Sequence, residues 1–221
     1  MLKTFGKLAG AVALAAAVTT GAAAQTAPRG KQAGDFVVGL GGIGVLPSND
    51  GGSVSPSAVG GKVHASNSGT AQLDFTYFFT PNVAVNLIAA TTQHDLTLKG
   101  SNLGTEAKLG HVWVLPPTLT LQYHPLPASR ISPYVGAGLN WTFFYGYGGS
   151  KTEGINRVRV DSTPAFAVVA GVDYELAPNW LLNVDAKKIL LRPDASVNSG
   201  GVTARVNLDP WVVGASVRYR F

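Results

Sequence analysis

The sequence predicts an all-β fold: an up-and-down antiparallel transmembrane β-barrel of eight strands. Three observations support this prediction. Apolar and polar residues alternate along eight segments, short turns alternate with long polar stretches between them, and aromatic residues cluster near the segment ends. Beyond the first 24 residues no apolar run reaches the length of a membrane helix, so a spanning chain must cross as strands.

Residues 1–24 are predicted to be a secretory signal peptide. Lys3 and Lys7 make a basic start, residues 8–18 form an apolar run too short to cross a bilayer, and residues 22–24 are small alanines. An N-terminal anchor helix is the alternative, but a span needs roughly 20 apolar residues. The barrel domain is therefore expected over residues 25–221.

The charge balance argues against nucleic-acid binding. The chain has 17 Lys and Arg against 12 Asp and Glu, and removal of Lys3 and Lys7 leaves 15 against 12, a net charge of about +3. The excess is dispersed, and its longest run is the pair Lys187 and Lys188, so no nucleic-acid partner is expected. The absence of cysteine fits an exported protein that folds without disulfides.

The first half of the barrel follows from alternation interrupted by turn-forming residues. The first strand begins at Phe36. Its alternation of apolar and polar residues is lost among the glycines of residues 41–44, so the sequence does not show which face of this strand points inward. Further strands are predicted at 71–79, 83–90 and 112–124, with long external loops at 47–69 and 91–110 and short turns at 80–82 and 125–130.

The second half repeats this order and ends on the clearest strand. Strands are predicted at 133–144, 165–174 and 180–187, with long loops at 146–156 and 190–203 and a short turn at 177–179. In the last strand, apolar or aromatic residues alternate with positions that include Ser216, Arg218 and Arg220. Lipid accepts the apolar face and a narrow polar lumen accepts the arginines. A soluble lipocalin-type barrel, with apolar residues inward, is the alternative.

The residues that alternation predicts to face the lumen are polar in the half of the barrel nearest the chain termini. Because eight strands leave little interior space, these residues are expected to form a hydrogen-bonded plug. The opposite end is expected to form a hydrophobic mouth from Trp113, Leu115 and Phe144, with Val112 as the alternative to Trp113. An apolar guest would rest there but could not easily cross the plug. The predicted plug comprises Asn86, Asn140, Asn183, Asp185, Lys187, Arg218 and Arg220.

Prolines suggest a way out for such a guest. Pro116 and Pro117 lie within the predicted fourth strand and Pro164 opens the sixth, and proline lacks the backbone donor that a closed ladder needs. One hypothesis is a weakened seam through which an apolar solute leaves sideways into the outer leaflet. The alternative is that these prolines end or bulge the strands above the hydrocarbon region.

Catalysis, metal binding and cofactor binding are not expected. His64, His94, His111 and His124 are scattered and lack the spacing of a metal site. The nearest Ser/His pairing is His124 with Ser129, but prolines between them make this segment a turn. The prediction is therefore a protein that is not an enzyme and needs no metal or cofactor.

Four motifs, in order along the chain, resemble the OmpW family of small outer-membrane barrels, whose relatives include AlkL-like proteins linked to alkane import. The resemblance implies a location in the outer membrane of Gram-negative bacteria and passive, porin-like uptake of small hydrophobic molecules. It also implies contact with outer-membrane lipid. The motifs are Leu115-Pro116-Pro117-Thr118-Leu119, Pro133-Tyr134-Val135-Gly136-Ala137-Gly138, Gly171-Val172-Asp173-Tyr174 and Asp209-Pro210-Trp211.

The C-terminal residues also resemble a known signal. Trp211, Tyr219 and the terminal Phe221 are similar to the pattern by which the bacterial barrel assembly machinery recognises outer-membrane strands for insertion. The competing function is a plugged structural or interaction barrel whose external loops bind lipopolysaccharide, a host surface, a phage or a bacteriocin. The substrate of an importer does not follow from the resemblance.

Overall fold

A computed structural model describes residues 27–48, 51–55, 60–101, 106–148, 158–197 and 202–221. The predicted signal peptide lies outside these ranges, which contain no helix long and apolar enough to cross a membrane. The strands within them are β1 (Phe36–Leu46), β2 (Gly51–Ser55), β3 (Gly60–Ala65), β4 (Ser68–Phe78), β5 (Val83–Ala90), β6 (Thr92–Ser101), β7 (Ala107–Leu115), β8 (Thr118–Tyr123), β9 (Ile131–Gly148), β10 (Val158–Val160), β11 (Thr163–Ala177), β12 (Trp180–Leu190), β13 (Asp194–Val197), β14 (Val202–Asn207) and β15 (Trp211–Arg220).

Eight of these strands close into an antiparallel barrel, as the sequence predicts. Their order is β11, β12, β15, β1, β4, β5, β8 and β9, and pairing of β9 with β11 completes the ring. The chain ends meet where β1 pairs with β15, with Val37 opposite Arg220 and Leu46 opposite Trp211. Closure leaves the barrel without an exposed sheet edge, which a membrane requires.

The direction of the side chains rules out the soluble alternative. Outward residues are large and apolar: Leu139 is 60% exposed and Phe166 is 70% exposed. The adjacent inward residue Asn140 is buried. β1, whose sidedness the sequence leaves open, follows the same rule, with Leu40 outside and Ile43 inside. An apolar outer belt around a partly polar interior is typical of an outer-membrane barrel.

Three of the four segments predicted as long loops contain further strands that extend the barrel wall, and the remaining one contains the end of β9. β3, β6 and β7 continue the sheet from the upper part of β9, and β10, β13, β14 and β2 form a second sheet. In β6, Leu96 and Leu98 pack inward with Leu109 and Val112, while Lys99 is exposed. The prediction of loops was wrong because polar outward residues and frequent Gly and Ser conceal this alternation. We call these seven strands, with β9 above Trp141, the extension.

The predicted fourth strand is two strands, because Pro116 and Pro117 interrupt it. β7 ends at Leu115 and β8 begins at Thr118. Proline cannot donate to a neighbouring strand, so the ladder has to stop or bulge at this point.

Residues before β1 close the barrel at the end where the chain terminates. Lys31 N donates to Pro127 O at 2.8 Å, and Gly34 N donates to Phe78 O at 2.8 Å. Phe78 N in turn donates to Asp35 O at 3.0 Å. These bonds hold residues 29–35 across the short-turn end, an arrangement that strand alternation alone does not predict.

Candidate functional site

The lumen has two chemically different halves. Near the chain termini it is filled by charged and amide side chains, which we call the plug. Towards the extension it is lined by apolar side chains from β1, β7, β9, β12, β14 and β15, which we call the cavity. The inward residues of β12 show this division: Asn183 and Asp185 lie in the plug, Lys187 lies at the boundary and also lines the cavity, and Ile189 faces the cavity.

Arg218 is the centre of the plug. Only 2% of its surface is exposed, and its Nε donates to Asp74 Oδ2 at 3.0 Å while Nη1 donates to Asp173 Oδ1 at 3.0 Å. Lys31 places its Nζ 3.0 Å from the other oxygen of Asp173. β15, β4, β11 and the N-terminal segment therefore meet in one ion-pair network. Buried charges are stable in a protein when they are paired in this way.

A second group of bonds extends the plug on either side of Arg218. Tyr134 donates its hydroxyl to Asp185 Oδ2 at 3.2 Å and accepts a bond from Asn183 Nδ2 at 3.0 Å. Lys187 donates to Asp185. At the terminal end, Arg220 Nη2 donates to Glu175 Oε2 at 3.1 Å and its Nη1 to Gly30 O at 2.6 Å.

All seven residues predicted for the plug are buried inside the barrel, although they lie at different heights. Asn86 donates to Thr76 Oγ1 at 2.8 Å beside Asp74, and Asn140 lies higher, where it donates to Thr118 Oγ1 at 2.9 Å. The seven are Asn86, Asn140, Asn183, Asp185, Lys187, Arg218 and Arg220.

Sequence reasoning missed four central members of the plug. Asp74 and Asp173 occupy the polar parity of their strands, and that parity is the signal that could have identified them. Tyr134 lies at an inward position of β9, but an aromatic residue there does not suggest a polar plug. Lys31 precedes the first strand, so no periodicity indicates where its side chain lies.

The cavity is small and lined mostly by apolar side chains. Its volume is about 100 Å³, smaller than the cavity of ~150 Å³ that holds benzene in an engineered protein. Val45, Val112, Val114, Phe144 and Ile189 line its wall. This volume suits a small apolar guest.

Two residues predicted for the mouth do not line this cavity. Trp113 is 36% exposed on the outside of the wall, and Leu115 is half-buried with the same outward parity. The inward positions of β7 belong instead to Val112 and Val114. The sequence left the inward position open between Val112 and Trp113, and the structure places Val112 inside; Leu115, which was predicted at the mouth, lies on the same face as Trp113. Phe144 does line the cavity.

The wall beside Pro116 and Pro117 has a gap on one side only. The register of β5 with β8 ends at Ile88 opposite Thr118, and that of β6 with β7 starts at Thr92 opposite Val114. Between these pairs, residues 89–91 face residues 115–117 without a strand register in the described chain. On the other side, Trp141 N still donates to Pro117 O at 3.1 Å. Pro116 and Ala90 line the cavity, so the gap adjoins it.

Pro164 does not interrupt the wall, contrary to the prediction of a seam there. The register of β9 with β11 runs without a break through Pro164, which lies opposite Trp141. Because Trp141 directs its N–H to β8, this pair is a non-hydrogen-bonded one between β9 and β11. The missing donor of Pro164 therefore removes no bond from that ladder.

The histidines form no metal site in the described residues, where no group of three potential ligands occurs. His94, in the extension, places Nδ1 2.6 Å from Ser66 O and Nε2 2.9 Å from Thr92 Oγ1. A carbonyl only accepts, so Nδ1 carries the proton and Nε2 accepts from Thr92. Burial lowers the pKa of His94 below its usual value, and the bond to Ser66 opposes this only in part. His124 lies between the rings of Phe78 and Tyr134.

The C-terminal aromatic residues lie on the outer face at the short-turn end, except Trp211, which is exposed at the other end of β15. The ring of Tyr219 contacts Phe221 at 4.8 Å and Trp180 at 4.9 Å between centroids. Phe221 N donates to Phe36 O at 2.9 Å, which joins the last residue to the first strand.

Known proteins are similar to this chain over nearly all of the barrel. A model of the OmpW family matches residues 32–221. Outer membrane protein W of Vibrio cholerae serotype O1 is 33% identical over 199 residues, which cover 86% of this chain and 90% of that protein. Outer membrane protein AlkL of Ectopseudomonas oleovorans is 28% identical over 178 residues, covering 78% and 74%. The crystal structure of outer membrane protein OprG from Pseudomonas aeruginosa matches with a TM-score of 0.81 at 28% identity, covering 88% of this chain and 99% of that one.

Proposed function

The chain belongs to the OmpW family of bacterial outer-membrane proteins, and on that premise we propose that it is a passive importer of small hydrophobic molecules. Its relatives are outer-membrane barrel proteins rather than enzymes. The observation that carries the proposal is the apolar cavity above a charged plug. An interior that served stability alone would be expected to be filled by its own side chains.

The plug argues against passage straight through the barrel. An apolar solute would have to separate Arg218 from Asp74 and Asp173, and it offers no hydrogen bonds in exchange. The gap beside Pro116 and Pro117 offers a different route, because it adjoins the cavity and lies near the level of the exposed Trp141. The proposed path therefore enters from the extension, rests in the cavity and exits sideways into the outer leaflet.

Crosslinking tests the sideways exit. The chain has no cysteine, so Thr91→Cys with Leu115→Cys introduces one thiol pair across the gap and retains both prolines. A short thiol-specific crosslinker should then lower uptake of an apolar solute by the protein in lipid vesicles. The matched control joins Val172→Cys to Val184→Cys, which are opposite each other on the intact seam of β11 and β12.

Each outcome of this experiment has a defined meaning. Loss of uptake with the gap crosslinked but not with the control supports lateral exit. Unchanged uptake in both crosslinked proteins contradicts the lateral exit and is consistent with import by another path. The absence of uptake even before crosslinking overturns import.

The competing function is the plugged structural or interaction barrel, and the closed ion-pair network favours it. In that case the extension would bind lipopolysaccharide, a host surface, a phage or a bacteriocin, and no solute would move in any of the crosslinking samples. We favour import because the competing function leaves the apolar cavity without a role. The proposed partners are small hydrophobic solutes, outer-membrane lipid and lipopolysaccharide, and the barrel assembly machinery during insertion.

A further inference from the structure

At the boundary between the cavity and the plug, one polar side chain has no hydrogen-bond partner among the residues that the structure describes. Gln72, on β4, is 1% exposed, and neither its Nε2 nor its Oε1 has a hydrogen-bond partner. Both atoms are fully buried, and Gln72 lines the cavity. A buried amide with no partner is rare because water would satisfy it in the unfolded chain. This group is therefore positioned for a partner that enters the cavity.

The other buried polar groups of the cavity already have partners. Thr118 donates its hydroxyl to Pro116 O at 3.0 Å, and Thr142 donates to Asn140 Oδ1 at 2.6 Å. His94 is bonded at both ring nitrogens, to Thr92 and Ser66. Gln72 differs from these residues because it lies at the boundary with the plug and because its amide has no hydrogen-bond partner.

The space around the amide of Gln72 is kept open by a glycine. A Cβ added to Gly214 would lie 3.2 Å from Gln72 Nε2, 3.2 Å from Ile43 Cγ2 and 3.4 Å from Asp185 Oδ1. The side chain of Gln72 thus extends across the inner face of β1 towards β15. Nearby, Lys187 has three donors on its ammonium group and donates to Asp185.

We propose that Gln72 binds the single neutral oxygen of an otherwise apolar guest, an alcohol or a ketone rather than a plain hydrocarbon. This inference rests on the proposed import function and narrows its substrate class. The Gln72 amide group donates to the guest oxygen, and its carbonyl accepts from a guest hydroxyl. The carbon chain of the guest points away from the plug and lies among Val45, Val112 and Ile189.

The surrounding charges favour a neutral head group over an anion. Lys187 is paired with Asp185, and the cations Arg218 and Lys31 are paired with Asp74 and Asp173. The buried part of the described lumen holds no excess of cations, because Asp35 and Glu175 face Arg220. A carboxylate would therefore lose its hydration without gaining an unpaired cation.

The test compares guests of equal size. n-Hexane, 1-pentanol, 2-pentanone and butanoate have the same number of non-hydrogen atoms, and each is titrated into the protein in lipid nanodiscs. Binding is followed by the side-chain amide resonance of Gln72, identified by its absence in Gln72→Leu, and by contacts of labelled guest carbons with cavity methyl groups. The substitution Gln72→Leu should weaken binding of 1-pentanol and 2-pentanone by about three- to tenfold and leave n-hexane unchanged or tighter.

Gln122→Leu is the matched control. Gln122 is also buried and has an unpartnered Oε1, but it does not line the cavity. Its substitution should leave all four affinities unchanged. Gln72→Leu removes an unpaired polar group, so it should fold at least as stably as the parent protein.

The outcomes separate this inference from the proposed function. If 1-pentanol and n-hexane bind the parent protein equally well, and Gln72→Leu changes neither affinity, the proposed role of Gln72 is wrong. The proposed import of hydrophobic molecules is not contradicted by this result. The same is true if butanoate binds more tightly than 1-pentanol. If no guest contacts the cavity methyl groups, both the inference and the import proposal fail.

Discussion

Arg218 shows at the scale of one residue why the lower lumen is closed. Its guanidinium group joins Asp74 and Asp173, which come from strands far apart in the chain. The planar group of arginine can serve two carboxylates at once, which a lysine ammonium does less well. One side chain therefore connects three strands across the barrel.

Removal of Arg218 should strongly destabilise the barrel. Arg218→Met leaves Asp74 and Asp173 with too few buried partners, and we expect the free energy of unfolding to fall by about 3–5 kcal/mol. Urea unfolding in lipid vesicles, followed by tryptophan fluorescence, measures this change. Arg205→Met is the control, because its pair with Asp194 is exposed and should contribute less than about 1 kcal/mol. Equal effects of the two substitutions would contradict the central role of Arg218.

Gly171 shows how a missing side chain creates space for the plug. A Cβ at this position would lie 2.6 Å from the hydroxyl and the Cζ of Tyr134. Gly171→Ala should therefore displace Tyr134 from Asp185 and lower the free energy of unfolding by about 1–3 kcal/mol. Gly42→Ala is the matched control, since its nearest atom, Thr70 O, lies 3.8 Å away. The same unfolding experiment measures both, and an unaffected Gly171→Ala variant would refute the packing argument.

At the scale of elements, β6 and β7 form a hairpin whose inner face depends on apolar packing and on a neutral histidine. Leu96, Leu98 and Leu109 pack together on this face, and His94 connects β6 to Ser66. This hairpin is part of the cavity wall, so its stability would affect the guest binding proposed above. Because burial lowers the pKa of His94, this hairpin is predicted to be sensitive to acid.

Acid should loosen this hairpin. Above the usual histidine pKa of 6.5, His94 is neutral whether the hairpin is closed or open. Below that pH, the open form takes up a proton that the closed form resists because its pKa is lowered, so closure is progressively destabilised until the pH passes the lowered pKa. Hydrogen exchange of β6 and β7, corrected for intrinsic rates, should be faster at about pH 5.5 than at about pH 7.5. His94→Gln should abolish the difference, and pH-independent exchange in the parent protein would contradict it.

At the scale of the whole molecule, one half of the barrel is filled by the ion pairs of the plug and the other half encloses the apolar cavity. The N-terminal segment adds a cover at the short-turn end, through Arg220 with Gly30 O and through Lys31 with Asp173. The gap at Pro116 and Pro117 lies above the plug and beside the cavity. The lateral path proposed above would leave the ion pairs of the plug intact, so the lower lumen could stay closed while a solute passed.

Much of the fold could be predicted because strand alternation is a local property. The eight barrel strands, the three short turns and the outward apolar face follow from residues two positions apart, as in Leu139 beside Asn140. The strands of the extension were missed because β6 and β14 carry polar residues on their outer face. The sequence could not decide whether Val112 or Trp113 faces inward, because β7 has apolar residues on both faces.

The sequence by itself determined that this protein is built from strands with one apolar face each, because successive side chains of a strand lie on opposite faces of a sheet. It favoured an apolar face towards lipid, and the tertiary structure decided that this face is the outer one. Only the tertiary structure decided which residues meet inside. Arg218 and Asp74 are 144 positions apart, and Gln72 approaches Gly214 across β1. Such contacts depend on strand register and barrel closure, so the plug, the one-sided gap and the unpartnered amide of Gln72 appear only when the barrel is assembled.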